Sequence, residues 1–172
     1  SGDTSYQTGI TRVIFGNIDN ADGPSKNIGY EDFTTLTATV TQSTSENLTV
    51  YVNSDGNYRI DAIAWIDWNQ NGVFTDSGET YDLGNISNVS NGALPTISIT
   101  IPANATIGST RMRVSGRYNT NPTPCLATFD GEVEDYTINV QAAGPDTTPP
   151  IITLNGASPL NLNQGATYTE LG

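Results

Sequence analysis

The sequence has no histidine, a single cysteine, and only 6 lysines and arginines against 18 aspartates and glutamates. Each shortage removes a class of function. Without histidine, the side chain that titrates nearest neutrality is missing. Cys125 stands in no recognisable nucleophile context, so catalysis starts at a disadvantage. A net charge of −12 disfavours nucleic acid, whose phosphates demand basic surface. It suits a soluble protein in a salty medium with an affinity for divalent cations. No apolar run is long enough to cross a membrane as a helix, so no membrane partner is expected. No leader is visible and the chain begins at Ser1 rather than at methionine. We therefore expect an excised piece of a secreted or cell-surface protein, a monomeric module within a larger chain whose leader lies elsewhere. In that setting the lone Cys125 points either to a partner upstream of Ser1 or to a free buried thiol.

Threonine, serine, asparagine and glycine fill the space left by lysine and the aromatics, in a pattern of short alternating segments. Ile10–Phe15, Leu36–Val40, Leu48–Val52, Arg59–Trp68, Thr80–Gly84, Ile97–Ile101, Thr110–Tyr118 and Glu132–Val140 read as strands. Between them stand turn signals such as Asp22-Gly23-Pro24 and Ser54-Asp55-Gly56-Asn57. No stretch keeps a helical period. The expected fold is an all-β antiparallel β-sandwich, jelly-roll or immunoglobulin-like, in residues 1–140, with strands from about Gly9 to Val140. Residues 141–150 form a linker stiffened by prolines. A new strand pattern begins in 151–172 and stops too soon to make a domain alone.

The most informative run is Trp65-Ile66-Asp67-Trp68-Asn69-Gln70-Asn71-Gly72-Val73, extended to Asp76 and Glu79. Asp67, Asn69 and Asn71 place oxygen-bearing side chains at every second residue, with Gly72 where a chain wrapping an ion must turn sharply. This spacing is the first half of a calcium loop of EF-hand type, with the Val73 carbonyl as the next ligand. The second half departs from that pattern, since its closing position is Gly78, so Glu79 or Asp76 would complete the shell. The segment before the loop is strand-like rather than helical. We expect Ca2+ to stabilise a long hairpin here. The alternative is a polar turn in which Asp and Asn cap their own backbone.

Glu132, Glu134 and Tyr136 share one face of the last strand by its two-residue period. The two glutamates could do acid–base work, could pair with Arg111 and Arg113 across strands, or Glu132 could reach a second calcium with Asp130. Arg111, Arg113 and Arg117 are three of the six basic residues and project from one strand face. They either pair with Glu132, Glu134 or Asp61 or form an anion site suited to an acidic or sulfated sugar. Flat rings cover the apolar face of a sugar, and Trp65 and Trp68 fall on opposite sides of their strand, so one of them is expected outside. Trp68 at the loop mouth is that candidate, with Tyr81 and Tyr118 as weaker ones and Arg113 or Arg117 as polar partners; burial of both tryptophans is the alternative. Phe15, Phe33 and Tyr30 are assigned to the core.

The run Gly131-Glu132-Val133-Glu134-Asp135-Tyr136, with Tyr30-Glu31-Asp32-Phe33, Trp65-Ile66-Asp67-Trp68-Asn69 and Arg111-Met112-Arg113-Val114 before it, resembles the GEVED domain. That family is a β-rich module of secreted proteins from Bacteroidetes and relatives, and the resemblance covers roughly Gly9 to Val140. It implies a non-catalytic module strung beside peptidases, glycoside-degrading enzymes or adhesins. Members often carry an early cysteine that this chain lacks, which fits a partner for Cys125 upstream. The tail from Asp146 to Leu154 resembles the start of a bacterial immunoglobulin-like repeat. The functional expectation is a calcium-stabilised accessory module that binds a polysaccharide, neutral or acidic, marine polysaccharides included, without being an enzyme. The alternative is a structural or protein-interaction spacer within a secreted peptidase or adhesin.

Overall fold

The computed structural model describes residues 1–145, 147, 149–151 and 163–167. Among them there is no helix, and eleven strands make two sheets. In chain order they are β1 (Gly2–Asp3), β2 (Gly9–Phe15), β3 (Ile18–Asn20), β4 (Tyr30–Thr41), β5 (Ser45–Asn53) and β6 (Arg59–Ile66). Then come β7 (Thr80–Ser87), β8 (Gly92–Ala93), β9 (Ile97–Thr100), β10 (Gly108–Tyr118) and β11 (Phe129–Gln141). One sheet runs β1-β11-β10-β6-β7 with β4 also on β11; the other runs β3-β2-β5-β8 with β9 also on β5.

The apolar sets read from the two-residue period meet between the sheets, the arrangement of a β-sandwich. Val13, Phe15, Leu48, Val50, Val52 and Ile99 come from one sheet; Val40, Ile60, Ile66, Met112, Val114 and Ile138 come from the other, all buried. At roughly 25 cal/mol per Å2 of apolar surface, this shared core is the main stabilising term. β6 lies between β10 and β7 and is buried along seven of its eight residues, so both its faces are covered.

One expectation about the sheets is corrected. β4 and β1 both run parallel to β11, so the larger sheet is mixed rather than antiparallel. The parallel register pairs Glu31 with Glu134 and Asp32 with Asp135, and it shifts at a bulge between Tyr136 and Thr137. Parallel partners need a long crossover; here it consists of everything between residues 41 and 129, and no local pattern announces it. Gln141, expected as the first residue of the linker, is the last residue of β11. The immunoglobulin-like start expected in 151–172 falls mostly outside the described residues. No helix among the described residues is long and apolar enough to cross a membrane.

Candidate functional site

The segment joining β6 to β7 folds back on itself as the spacing of its oxygens requires. Asp67 is 6% exposed, and its two carboxylate oxygens accept from the backbone N–H groups of Asn71 and Gly72. Asn69 Oδ1 accepts from Asn71 N–H and Asn71 Oδ1 from Val73 N–H, while both side-chain amides donate to Asp76 Oδ2 at 2.8 Å. Gly72 has φ +81°, the left-handed turn anticipated there. Glu79 enters from the start of β7 and is 2% exposed; its Oε1 accepts from Asn69 N–H, while Oε2 has no hydrogen-bond partner among the described residues. Burial raises its pKa. Asp67, Asn69, Asn71, Asp76 and Glu79 are therefore linked into one oxygen-rich loop, and Val73 follows on its exposed side. The chemistry of this set, with a buried carboxylate oxygen left over, fits a hard divalent cation.

Trp68 does not stand at the mouth of this loop. It is 3% exposed, in the core cluster, and its indole N–H donates to the Tyr81 hydroxyl at 2.8 Å. The Tyr81 hydroxyl in turn donates to the Gly78 carbonyl, so the ring is half-buried and anchors the loop's far end. Trp65, at 2%, is buried as well. The expectation of an exposed tryptophan is thus corrected. The strand ends at Ile66, and beyond that point the two-residue alternation no longer assigns Trp68 a side.

The two faces of β11 carry carboxylates in different circumstances. On the outer face Asp135 is fully buried under donors: Arg113 binds it in bidentate fashion at 2.7 Å, Arg111 at 3.3 Å and the Tyr30 hydroxyl at 3.1 Å. Arg113 also donates to the Pro124 carbonyl and lies over the Phe74 ring. It is committed to the fold, which corrects its assignment as a sugar-facing partner. Its pairing with Asp135, instead of Glu132 or Glu134, follows from register, because Arg113 sits opposite Asp135 on β11. Arg117 lies over the Phe129 ring at 6.0 Å, and Asp61 takes Arg59 as its ion-pair partner. Tyr30 is 36% exposed, outside the core to which it was assigned, whereas Phe15 is fully buried and Phe33 stacks on Tyr136 at 5.6 Å.

On the inner face Glu132 and Glu134 are each 1% exposed, and no arginine reaches them. Glu132 Oε2 accepts from Ile10 N–H at 2.8 Å, a close approach that Gly9 permits, since a Cβ there would fall 2.4 Å from the same oxygen. Glu134 Oε2 accepts from the Tyr136 hydroxyl, which accepts from Asn20; Glu134 Oε1 has no partner among the described residues. Asp22, from the turn after β3, and Glu31, on β4, complete the group. Carboxylate oxygens of Asp22, Glu31 and Glu132 lie within 4.8 Å of one another. Burial pushes Glu132 up to about 8, with the charges of Glu31 and Asp22 adding to it. Burial also lifts Glu31 to about 7 and Glu134 well above the usual carboxylate range. The buried cation Lys26 donates to the carbonyls of Thr8 and Gly131 instead.

A third feature lies at the β10 end of the molecule. Tyr6, Tyr58 and Tyr118 are 52%, 55% and 38% exposed, and with Asp55 and Asp130 they line a cavity of about 340 Å3. Tyr58 and Tyr118 meet edge to face with centroids 5.5 Å apart. Asp130 Oδ1 has no partner among the described residues. Of the expected ring-bearing residues only Tyr118 belongs here. Tyr6 and Tyr58 were missed because each lies in a turn segment just before a strand, where periodicity says nothing. Cys125 is exposed rather than buried, on the loop before β11, and the Ser1 amino group donates to the neighbouring Leu126 carbonyl.

With these sites placed, comparison with known proteins adds one firm point. Residues 61–139 match the GEVED domain. The match takes in most of β6, the oxygen-rich loop, β10 and nearly all of β11, but not Asp22, Tyr30 or Glu31. No curated protein matches the chain. Among solved structures, a family 123 glycoside hydrolase from Clostridium perfringens, studied for glycolipid glycan hydrolysis, aligns at 13% identity with a TM-score of 0.39. That alignment covers 69% of this chain and 24% of the hydrolase, and a likeness so distant carries no argument.

Proposed function

We propose that the chain is a non-catalytic accessory module of a secreted multimodular protein, that it binds a neutral polysaccharide, and that Ca2+ in the loop from Asp67 to Glu79 stabilises it. The observation that carries the carbohydrate reading is the cleft of Tyr6, Tyr58 and Tyr118 with Asp55 and Asp130 among them. Partly exposed rings beside hydrogen-bond acceptors suit a sugar, whose C–H face packs on a ring while its hydroxyls donate to carboxylates. Carboxylates in the lining disfavour acidic or sulfated sugars, so the neutral option is the one we retain. Arg113 and Arg117, engaged elsewhere, play no part in this cleft.

The calcium reading is supported by the buried, unpartnered Oε2 of Glu79 beside Asp67. Asp67, Asn69, Asn71, the Val73 carbonyl, Asp76 and Glu79 would hold the ion, which supplies charge neutralisation and rigidity and no chemistry. With so few charged ligands, its dissociation constant should be in the range of extracellular modules, about 10⁻⁴–10⁻³ M.

Affinity gel electrophoresis over a panel of neutral and acidic polysaccharides tests the sugar reading. Retention by a neutral polysaccharide, lost in Tyr58→Ala and Tyr118→Ala with an unchanged circular-dichroism spectrum, is the expected result. Absence of retention across the panel would favour a structural spacer, and retention unaffected by both variants would move the site elsewhere.

A further inference from the structure

The loop is a site made of consecutive residues; the inner face of β11 holds a group that the fold assembles from three distant segments. Asp22 is exposed, Glu31 is half-buried and Glu132 is buried, so the three form a path from solvent into the space between the sheets. Glu134 lies further in. Its Cα is the register partner of Glu31 on the adjacent parallel strand, which sends both side chains to the same face, and it follows Glu132 by one two-residue period. Its carboxylate is 1% exposed and keeps one oxygen without any hydrogen-bond donor among the described residues. Glu31 Oε2 is likewise buried, with the Asp22 carboxyl as its neighbour and no N–H or hydroxyl donor among the described residues.

Buried carboxylate oxygens are ordinarily hydrogen-bonded, paired with a cation or bound to a metal. No arginine among the described residues serves this group, and what can satisfy it is a proton shared between Asp22 and Glu31, the nearby charge of Lys26, or a bound cation. Arg111 and Arg113 serve Asp135 on the opposite face, and Lys26 donates to two carbonyls. We propose that Asp22, Glu31 and Glu132, with the free oxygen of Glu134 behind them, form a second cation site that takes Ca2+ and clamps the turn after β3 to β4 and β11.

The donor set is all oxygen, which selects a hard cation over zinc or copper. Oxygens on opposite sides of a calcium ion stand about 4.6–5.2 Å apart, those of magnesium about 4.0–4.2 Å. The three carboxylates, within 4.8 Å of one another, are close enough for one divalent ion to bridge, and Ca2+ is favoured because it accepts an irregular shell drawn from three separate segments. An exposed Asp22 leaves room for water to complete the shell. This site is independent of the loop, with which it shares no residue.

Equilibrium dialysis of the full chain against Ca2+ tests the proposal, using variants that separate the two sites. The loop variant Asp67→Ala should still bind one ion. In that background Asp22→Asn, a nearly isosteric change at an exposed position, should weaken this ion about tenfold or more, since the charge of the ligand set governs affinity. Glu31→Gln should do the same, with unchanged circular dichroism confirming that both variants fold. The proposal is overturned if Asp67→Ala binds no Ca2+ at millimolar concentration. It is equally overturned if Asp22→Asn and Glu31→Gln leave the remaining ion as tightly held as before. Should the loop prove empty, wild type will bind a single ion that Asp22→Asn weakens, and the present site stands without the other.

Discussion

The outer and inner faces of β11 show two ways for one strand to bury carboxyl groups. Outside, Asp135 is covered by two guanidinium groups and a phenol, so the fold carries its own counter-charge. Inside, Glu132 and Glu134 are buried as deeply with one backbone N–H and one phenol between them. The difference is one of completeness. An acid with all its donors present is a structural element, whereas acids with oxygens to spare leave a position open for something from solution.

The largest expected effect tests the closed side of this contrast. Arg113→Ala leaves Asp135 buried with little left to neutralise it, and removing one partner of a buried pair costs about 3–5 kcal/mol. Urea unfolding should show that loss with or without Ca2+; a loss under about 1 kcal/mol would mean that Arg111 and Tyr30 suffice. Next comes the loop. At Ca2+ about 100 times the dissociation constant, binding to the native state contributes roughly 2.7 kcal/mol. Asp67→Ala should forfeit most of it, so chelator should lower the melting temperature of wild type more than that of the variant, which keeps only the ion of the inner acidic group. If the two melt alike in millimolar calcium and chelator shifts both equally, the loop is only a turn.

A smaller effect is expected on the open side. Glu134→Gln keeps an acceptor for the Tyr136 hydroxyl and replaces a carboxyl that burial already drives toward its neutral form, so in chelator it should change stability by less than about 1 kcal/mol. A loss approaching that of Arg113→Ala would erase the distinction between the faces. Smallest of all, Tyr58→Ala removes an exposed ring and should stay within about 0.5 kcal/mol of wild type. Its effect is on polysaccharide retention alone; a large drop in melting temperature would make the cleft part of the core.

What was legible in the sequence follows the distance over which each feature is built. The strand from Ile97 and the one from Arg59 appear within one or two residues of where alternation ends. Asp67, Asn69, Asn71, Asp76 and Glu79 come together in one loop because they lie within thirteen consecutive residues. Parallel pairing of β4 with β11 could not be read this way, since it joins Tyr30 to Val133 across most of the domain. The inner acidic group inherits that difficulty. Asp22, Glu31 and Glu132 are unremarkable where they stand, and only the crossover makes them neighbours. Trp68 failed for a more local reason: a rule that holds along a strand was carried two residues past its end.

The position of β11 between antiparallel β10 and parallel β4 has a mechanical consequence. A pull on the chain beyond Gln141, directed along the strand, meets both ladders in shear, and their hydrogen bonds must yield together rather than one after another. Peeling from the side would break them in sequence at far lower force. A domain drawn by its neighbours in a longer chain would therefore resist extension through the strand that also carries its buried acids, and a calcium ion seated between β4 and β11 would raise that resistance further.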